Sequence, residues 1–238
     1  MTLPLQGRDR RFKSAQTHIY KTFSDKMKIV IKIGGSVAIS SSGPKPEYFE
    51  KLIPVLNKIK NKHLLYIVIG GGKITRDYYN CIKNFISHDK AEWVLIDLLH
   101  ANARFLAYAL NGKFISKLDE LDDSLCVASG FEPGHSTDGS AAMIAEKINA
   151  DLLLILTDVN GIYDDDIKRN PDAKLLKHLS FNELDNFEKD GSPNNYGIID
   201  KLAIKTIKKN KIKTYVINGN PTNILKVLNG ENPGTVID

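Results

Sequence analysis

Apolar positions along the chain follow two different periods, and the changes between them mark its elements. Lys28 to Ile33 (KIVIKI), His63 to Ile69 (HLLYIVI) and Leu152 to Leu156 are short apolar runs, the mark of strands covered on both faces of a parallel sheet. Leu125 to Ala128 and Lys213 to Ile217 read as further strands, and Thr235 to Ile237 as a final edge strand. Between them the period lengthens to that of a helix. Pro46 to Asn61 places Phe49, Leu52, Ile53, Val55, Leu56 and Ile59 on one side. Lys73 to Ile86, Ala91 to Leu110, Asp138 to Ile148, Asp200 to Lys209 and Thr222 to Leu228 are also helical, and Ser180–Glu183 resembles a capping box. Tyr78, Cys81, Ile82 and Phe85 are expected in the core, as are Trp93, Ile96, Leu99, Ala103 and Ala107, with Asn102 and Arg104 at the surface. Strands alternating with helices predict an α/β protein with a largely parallel sheet.

The breaks between elements carry the candidate chemistry. Gly34-Gly35-Ser36 follows the first strand, and Gly70-Gly71-Gly72 follows the second, with Lys73 to Arg76 opening a helix. Glycines after a strand let backbone N–H groups approach an anion without obstruction by a Cβ, and a helix start there suits a phosphate. Arg76, one turn in, adds a fork for phosphate oxygens. Neither loop is a P-loop, since GxxxxGK[ST] is absent, and Thr75 stands where GxGxxG needs its last glycine. Lys32, two residues before the first glycines, is read either as a phosphate contact or as a lysine at the strand's edge exposed to solvent. Two polar loops flank the segment from Gly130 to Tyr163: Gly130–Thr137 before its helix, with Ser136, Thr137 or Asp138 as N-cap, and Thr157–Tyr163 after its strand. In open α/β sheets ligands bind at the carboxyl ends of strands, so both loops face the expected cleft. The acidic run Asp164-Asp165-Asp166 lacks EF-hand spacing and reads as a solvated loop. Lys189 to Gly197 reads as a mobile loop.

Composition narrows the class. The 238 residues are 42% hydrophobic, enough for a real core. No run of 18 apolar residues exists, so no membrane span is expected, and the N-terminus lacks the apolar region of a signal peptide. Of the net charge of +5, +4 falls in residues 1–26. The body is therefore near neutral, and nucleic acid is not an expected partner. Residues 1–26 read as a disordered N-terminal extension, a cloning remnant or an upstream start, ahead of a single domain at 27–238. Cys81 and Cys126 have no metal spacing and read as buried thiols, which places the chain in the reducing cytoplasm.

In order and spacing, these motifs together resemble the amino-acid kinase superfamily and, within it, the archaeal type of UMP kinase. The matching stretches are IKIGGS at 31–36, IGGGKITRDYY at 69–79, ANAR at 101–104, EPGHSTD at 132–138, TDVNGIYDDD at 157–166, IIDKLAIK at 198–205 and PGTVI at 233–237. The resemblance implies a three-layer α/β/α sandwich around a sheet of about eight strands. It implies transfer of the ATP γ-phosphoryl group to UMP, with Mg²⁺ arriving on the nucleotide rather than in a dedicated metal site. The acceptor would lie in residues 27–150 and ATP in residues 151–238. Lys32 and Arg76 would be catalytic. Gly35, Ser36, Gly72, Arg76, Thr157, Asp158, Tyr163 and Asp166 would hold ATP. Gly71, Glu92, Phe131, Glu132, Pro133, Gly134, His135, Ser136 and Thr137 would hold UMP, with His135 shaping the pocket. Relatives assemble as hexamers built as trimers of dimers, so a homo-oligomer is expected.

The chain departs from the pattern in three places. Glu92 stands where the family carries a ribose-binding Asp. Asp158-Val159-Asn160 replaces Asn-Val-Asp. The stretch Asn111 to Leu125 is shorter than usual. Two other readings remain: a kinase of the same fold acting on a carboxylate, carbamate or isopentenyl phosphate, and a nucleotide-binding regulator or storage protein without turnover. Isopentenyl phosphate enzymes carry a histidine just after the glycine triplet, and Lys73 to Arg76 contains none.

Overall fold

The computed structural model describes residues 26–189 and 199–238. The extension at 1–26, apart from Lys26, and the loop at 189–197, apart from Lys189, lie outside the described residues. Eight strands form one sheet: β1 (Lys28–Ile33), β2 (Leu64–Ile69), β3 (Lys113–Phe114), β4 (Cys126–Ala128), β5 (Leu152–Thr157), β6 (His178–Leu179), β7 (Thr214–Asn218) and β8 (Thr235–Ile237). Their order is β3-β4-β2-β1-β5-β7-β8-β6. The first six in that order are parallel. β8 runs antiparallel to β7, and β6 follows β8 in parallel. β1 thus lies between two parallel neighbours, with Ile31 opposite Ile67 on one side and Leu154 on the other. Lys32 on this central strand is therefore not exposed to solvent: its side chain is close to nine-tenths buried. β8 is also internal: the two-residue strand β6 covers it, a pairing too short to leave a period in the sequence.

Six helices complete three layers: α1 (Pro46–Lys60), α2 (Gly72–Ile82), α3 (His88–Ala109), α4 (Thr137–Ile148), α5 (Lys201–Asn210) and α6 (Pro221–Leu228). Ile29, Ile31 and Ile33 face a core with Leu52 and Leu56 of α1, Leu106 of α3 and Ile224 of α6. Val30, Tyr66 and Val68 face the opposite core with Ala141 and Ile144 of α4 and Ile204 and Ile207 of α5. The alternation of a strand sorts these residues to two faces. Because both faces are covered, the central strands are mostly apolar, with Lys32 of β1 the charged exception in their interior.

Helix α2 departs from its expected role. It ends at Ile82, and only Gly72 and Thr75 are buried along it. Tyr78 and Phe85 are exposed (43% and 82%), as is Cys81, while Ile82 is half-buried. The helix packs beside α3 and the turn after β1, and of its apolar residues Ile74 packs against the core while Tyr78 does not. On α3, Ile96, Ala103 and Ala107 are buried as expected, but Trp93 is 54% exposed and Asn102 is buried. Period locates an apolar side; it does not say what covers that side.

Candidate functional site

The site is assembled where β1, β2, β4, β5 and β7 end. Gly34, at the end of β1, donates its amide to the Leu156 carbonyl at 2.8 Å. Gly35–Ala38 then forms a single helical turn. The two glycine loops meet backbone to backbone: a Cβ on Gly35 would stand 2.1 Å from the Gly72 nitrogen. Gly72 has φ +67°, the left-handed region that glycine enters without steric cost. A Cβ on Gly71 would meet Thr75 Oγ1 at 2.0 Å. Side chains are thereby excluded from the junction.

A cavity lies on each side of this junction. One, of about 420 Å³, is lined by Thr75, Arg76, Tyr79, Asn80, His88, Glu92 and Leu95, between α2 and α3. The other, of about 410 Å³, is lined by Ser36, Val37, Lys45, Glu47, Tyr48, Lys51, Thr157, Asp158, Asn218, Gly219, Asn220 and Pro221. The structure thus separates the candidate residues into two groups, Arg76 with Glu92 and Ser36 with Thr157 and Asp158. Tyr163 and Asp166 lie farther along the loop after β5. Tyr163 is buried and its backbone bridges to Leu175. Asp166 accepts the Lys168 amide at 2.9 Å and pairs with Arg169 at 3.5 Å.

The loop before α4 borders the first cavity. The Glu92 carboxylate accepts the Gly134 amide at 2.7 Å, and Gly134 has φ +80°. The longer side chain at position 92 therefore reaches loop backbone. Phe131 packs against the apolar core below the loop, and His135 Nδ1 lies 3.4 Å from the Glu132 carboxylate. Pro133 is half-buried between exposed Glu132 and Gly134. At the loop's start, His100 Nε2 and the Gly130 carbonyl are 2.9 Å apart. At its end Ser136 is the N-cap: its hydroxyl accepts the Asp138 and Gly139 amides at 3.0 and 3.2 Å, and Thr137 opens α4.

Three residues that the sequence suggested only as helix starts, or not at all, join the site. Asp138, in the first turn of α4, pairs with Lys32 of β1 at 2.6 Å, and both side chains are close to nine-tenths buried. Asp200 is the N-cap of α5, accepting the Ala203 amide at 2.8 Å, and its other oxygen accepts the Gly139 amide at 2.9 Å and the Ser136 hydroxyl. One carboxylate thus serves the amino ends of two helices, where negative charge is stabilised. Asn218 ends β7 and lines the second cavity. A carboxylate at a helix start was visible in the sequence; its partner across the sheet was not.

Charge in the second cavity is modulated by Lys168, whose ammonium lies 2.8 Å from the Asp158 carboxylate. Burial pushes the Asp158 carboxyl up, but hydrogen bonding and charge from Lys168 outweigh it and the net shift is downward. Asp164 and Asp165 accept the Lys174 amide and the Asn170 side-chain amide respectively, so the loop itself takes up this acidic run.

Comparison with known proteins places the chain in a family. The sequence matches the Amino acid kinase family over residues 27–119 and 107–218. The uridylate kinase of Methanococcus aeolicus is 35% identical over 224 residues, covering 89% of this chain and all of the relative. That of Thermococcus kodakarensis is 33% identical over 225 residues with the same coverage. The crystal structure of uridylate kinase from Archaeoglobus fulgidus superposes with a TM-score of 0.79 at 33% identity, covering 89% of this chain and all of that one. An isopentenyl phosphate kinase structure, at 23% identity and a TM-score of 0.62, shares the fold. With a family model matched over most of its length and relatives above 30% identity covered end to end, the chain belongs to the amino acid kinase family.

Proposed function

We propose that the protein transfers the γ-phosphoryl group of ATP to the phosphate of UMP, giving UDP and ADP. The observation that carries this reading is the junction of the glycine loops, with Gly35 and Gly72 in backbone contact and one cavity on each side. A donor phosphate from one cavity and an acceptor phosphate from the other would meet over amides and flanking cations. The uridylate kinases it resembles support the choice of acceptor.

The acceptor half is residues 27–150, and UMP is held by Gly71, Glu92 and Phe131 to Thr137. The donor half is residues 151–238, where Thr157, Asp158, Tyr163 and Asp166 hold ATP, joined by Gly35, Ser36 and Gly72 at the phosphates. A UMP phosphate oxygen forms the new bond to the γ-phosphorus as the bond to the ADP oxygen breaks. Phosphate oxygens are already nucleophiles, so alignment and charge neutralisation supply the catalysis. Arg76 faces the acceptor side. Lys32, held by Asp138, keeps its ammonium at a fixed place behind the first glycine loop. Mg²⁺ would arrive on the nucleotide and neutralise phosphate charge there, and Asp158 and Glu47 are the carboxylates lining the donor cavity that could approach it.

The protein works as a homo-oligomer, a hexamer built as a trimer of dimers. An exposed stripe of α3, with Trp93, Phe105 and Tyr108 spaced along one side, supports self-association. A cytoplasmic location is supported by the two free cysteines. An ADP-release assay with ATP·Mg²⁺ against UMP, CMP, AMP, acetylglutamate and isopentenyl phosphate tests the reaction. Turnover confined to UMP is expected. Turnover on another acceptor overturns the assignment of Phe131 to Thr137, and nucleotide binding without turnover overturns the enzyme reading. Light scattering tests assembly, with a monomer the result that overturns it.

A further inference from the structure

Lys45 has no place in the reaction so far, yet it is bound to the turn that carries Gly35 and Ser36. The turn Gly35–Ala38 is a single helical turn, so its carbonyls lack partners of their own. The Ile39 amide satisfies the Gly35 carbonyl. The remaining three are all taken by Lys45. Its ammonium donates to the Ser36 carbonyl at 2.8 Å and the Val37 carbonyl at 3.0 Å, and its own amide donates to the Ala38 carbonyl at 2.9 Å.

The route back to the turn is local. After the turn the chain forms a short hairpin, Ile39–Ser40 against Gly43–Pro44, reversing at Gly43 with φ +117°. The Ser40 hydroxyl closes it on the Gly43 carbonyl at 2.9 Å. Lys45 then stands directly before α1, as the helix's N-cap residue without a side-chain cap of its own. Its carbonyl accepts the Tyr48 and Phe49 amides at 3.1 and 3.3 Å, but its side chain caps nothing in α1 and is turned back onto the preceding element. The start of the turn is anchored by the Gly34 amide on the Leu156 carbonyl, and its sides pack Gly35 against Gly72 and Val37 against Gly219.

We propose that Lys45 is the positioning residue of the phosphate-binding turn. It fixes the Gly35 and Ser36 amides by satisfying the carbonyls at the turn's far end, while its charge lines the donor cavity. This rests on the reading that these amides meet the transferring phosphoryl group. Without the ammonium, two carbonyls facing the cavity lose their donor, and the turn opens more often.

The test uses the full chain with ATP·Mg²⁺ and UMP. Lys45→Met keeps the stem and removes the donors; Lys45→Arg restores them; Lys51→Met removes a charge from the same cavity without touching the turn. The expected result for Lys45→Met is a fall in kcat of roughly 10- to 100-fold with the KM for UMP held within about twofold. Lys45→Arg recovers most of that loss. In nucleotide-free protein, the Val37, Ala38 and Ile39 amides exchange faster in Lys45→Met and unchanged in Lys51→Met. A higher KM for ATP alone, with kcat and exchange unaltered, overturns the positioning role and leaves Lys45 a cavity charge. Should Lys45→Met not fold, Lys45→Gln, which removes the charge and keeps two N–H donors on a shorter stem, carries the same comparison with a smaller loss. If the parent protein shows no turnover with UMP, the reaction reading fails separately, and amide exchange still decides whether Lys45 holds the turn.

Discussion

Lys32 on the central strand and Asp138 in the first turn of α4 meet at 2.6 Å, with side chains only 12% and 11% exposed. Two opposite charges withdrawn from water are tolerable as a pair and costly alone. The pair also joins the strand that leads into the first glycine loop to the helix that follows the acceptor-side loop.

Removing one member should therefore cost more than removing both. Lys32→Met or Asp138→Asn alone is expected to destabilise by about 3 kcal/mol, and the double variant to recover about half of that. Turnover should stay lost in Lys32→Met with or without Asp138→Asn. Denaturant titration and ADP release separate the effects; full recovery of turnover in the double variant would show that Lys32 serves stability alone.

Arg76 is exposed, on a helix of which only the first turn is buried. Arg76→Ala should shift stability by no more than about 0.5 kcal/mol. It should lower kcat/KM by about 10²- to 10³-fold, the scale of one lost contact to developing charge. An unchanged kcat/KM removes Arg76 from the phosphates.

Gly35 and Gly134 differ in why they are glycine. A Cβ on Gly35 would meet backbone at 2.1 Å, whereas one on Gly134 would find open space and only a φ of +80° to contend with. Gly35→Ala should cost about 3 kcal/mol through overpacking, and Gly134→Ala about 1 kcal/mol through backbone conformation. Urea midpoints in the reverse order would refute the loop junction.

The Asp158–Lys168 pair sets a pH dependence with a definite sign. A carboxyl lowered in the folded state stabilises above its unfolded pKa, about 3.9. That contribution is lost as pH falls through the lower folded value. In Lys168→Met the pull of the ammonium is gone, while burial still pushes up and the Thr157 hydroxyl and the Asp158 amide still pull down. The Asp158 midpoint, followed by carboxyl NMR, should rise, and the loop should loosen at higher pH than in the parent. A midpoint unmoved by the substitution would show that the ion pair does not persist in solution.

Most strands and helices were legible because burial on both sheet faces imposes a local signal. The runs at Lys28–Ile33, His63–Ile69 and Leu152–Leu156 fall on β1, β2 and β5 within a residue. The two-residue strands β3 and β6 left none, being defined by their partners rather than by their own residues. Tyr78, Phe85 and Trp93 show the same limit at the surface, since an apolar helix side looks alike whether a sheet or solvent lies against it.

The sequence by itself determined the order of elements, the positions of the glycine loops and the kinship to a kinase family. Each of these follows from periodicity, from the steric freedom of glycine, or from motifs contiguous in the chain. Only the tertiary structure decided that Lys32 is internal and paired with Asp138, and that Asp200 serves two helix starts. It also showed that Gly35 and Gly72 share one junction and that Lys45 closes the turn between them and the donor cavity. Those relationships join residues distant in the chain or brought together by a reversal, and no local pattern encodes the pairing of a charge with a partner across a sheet.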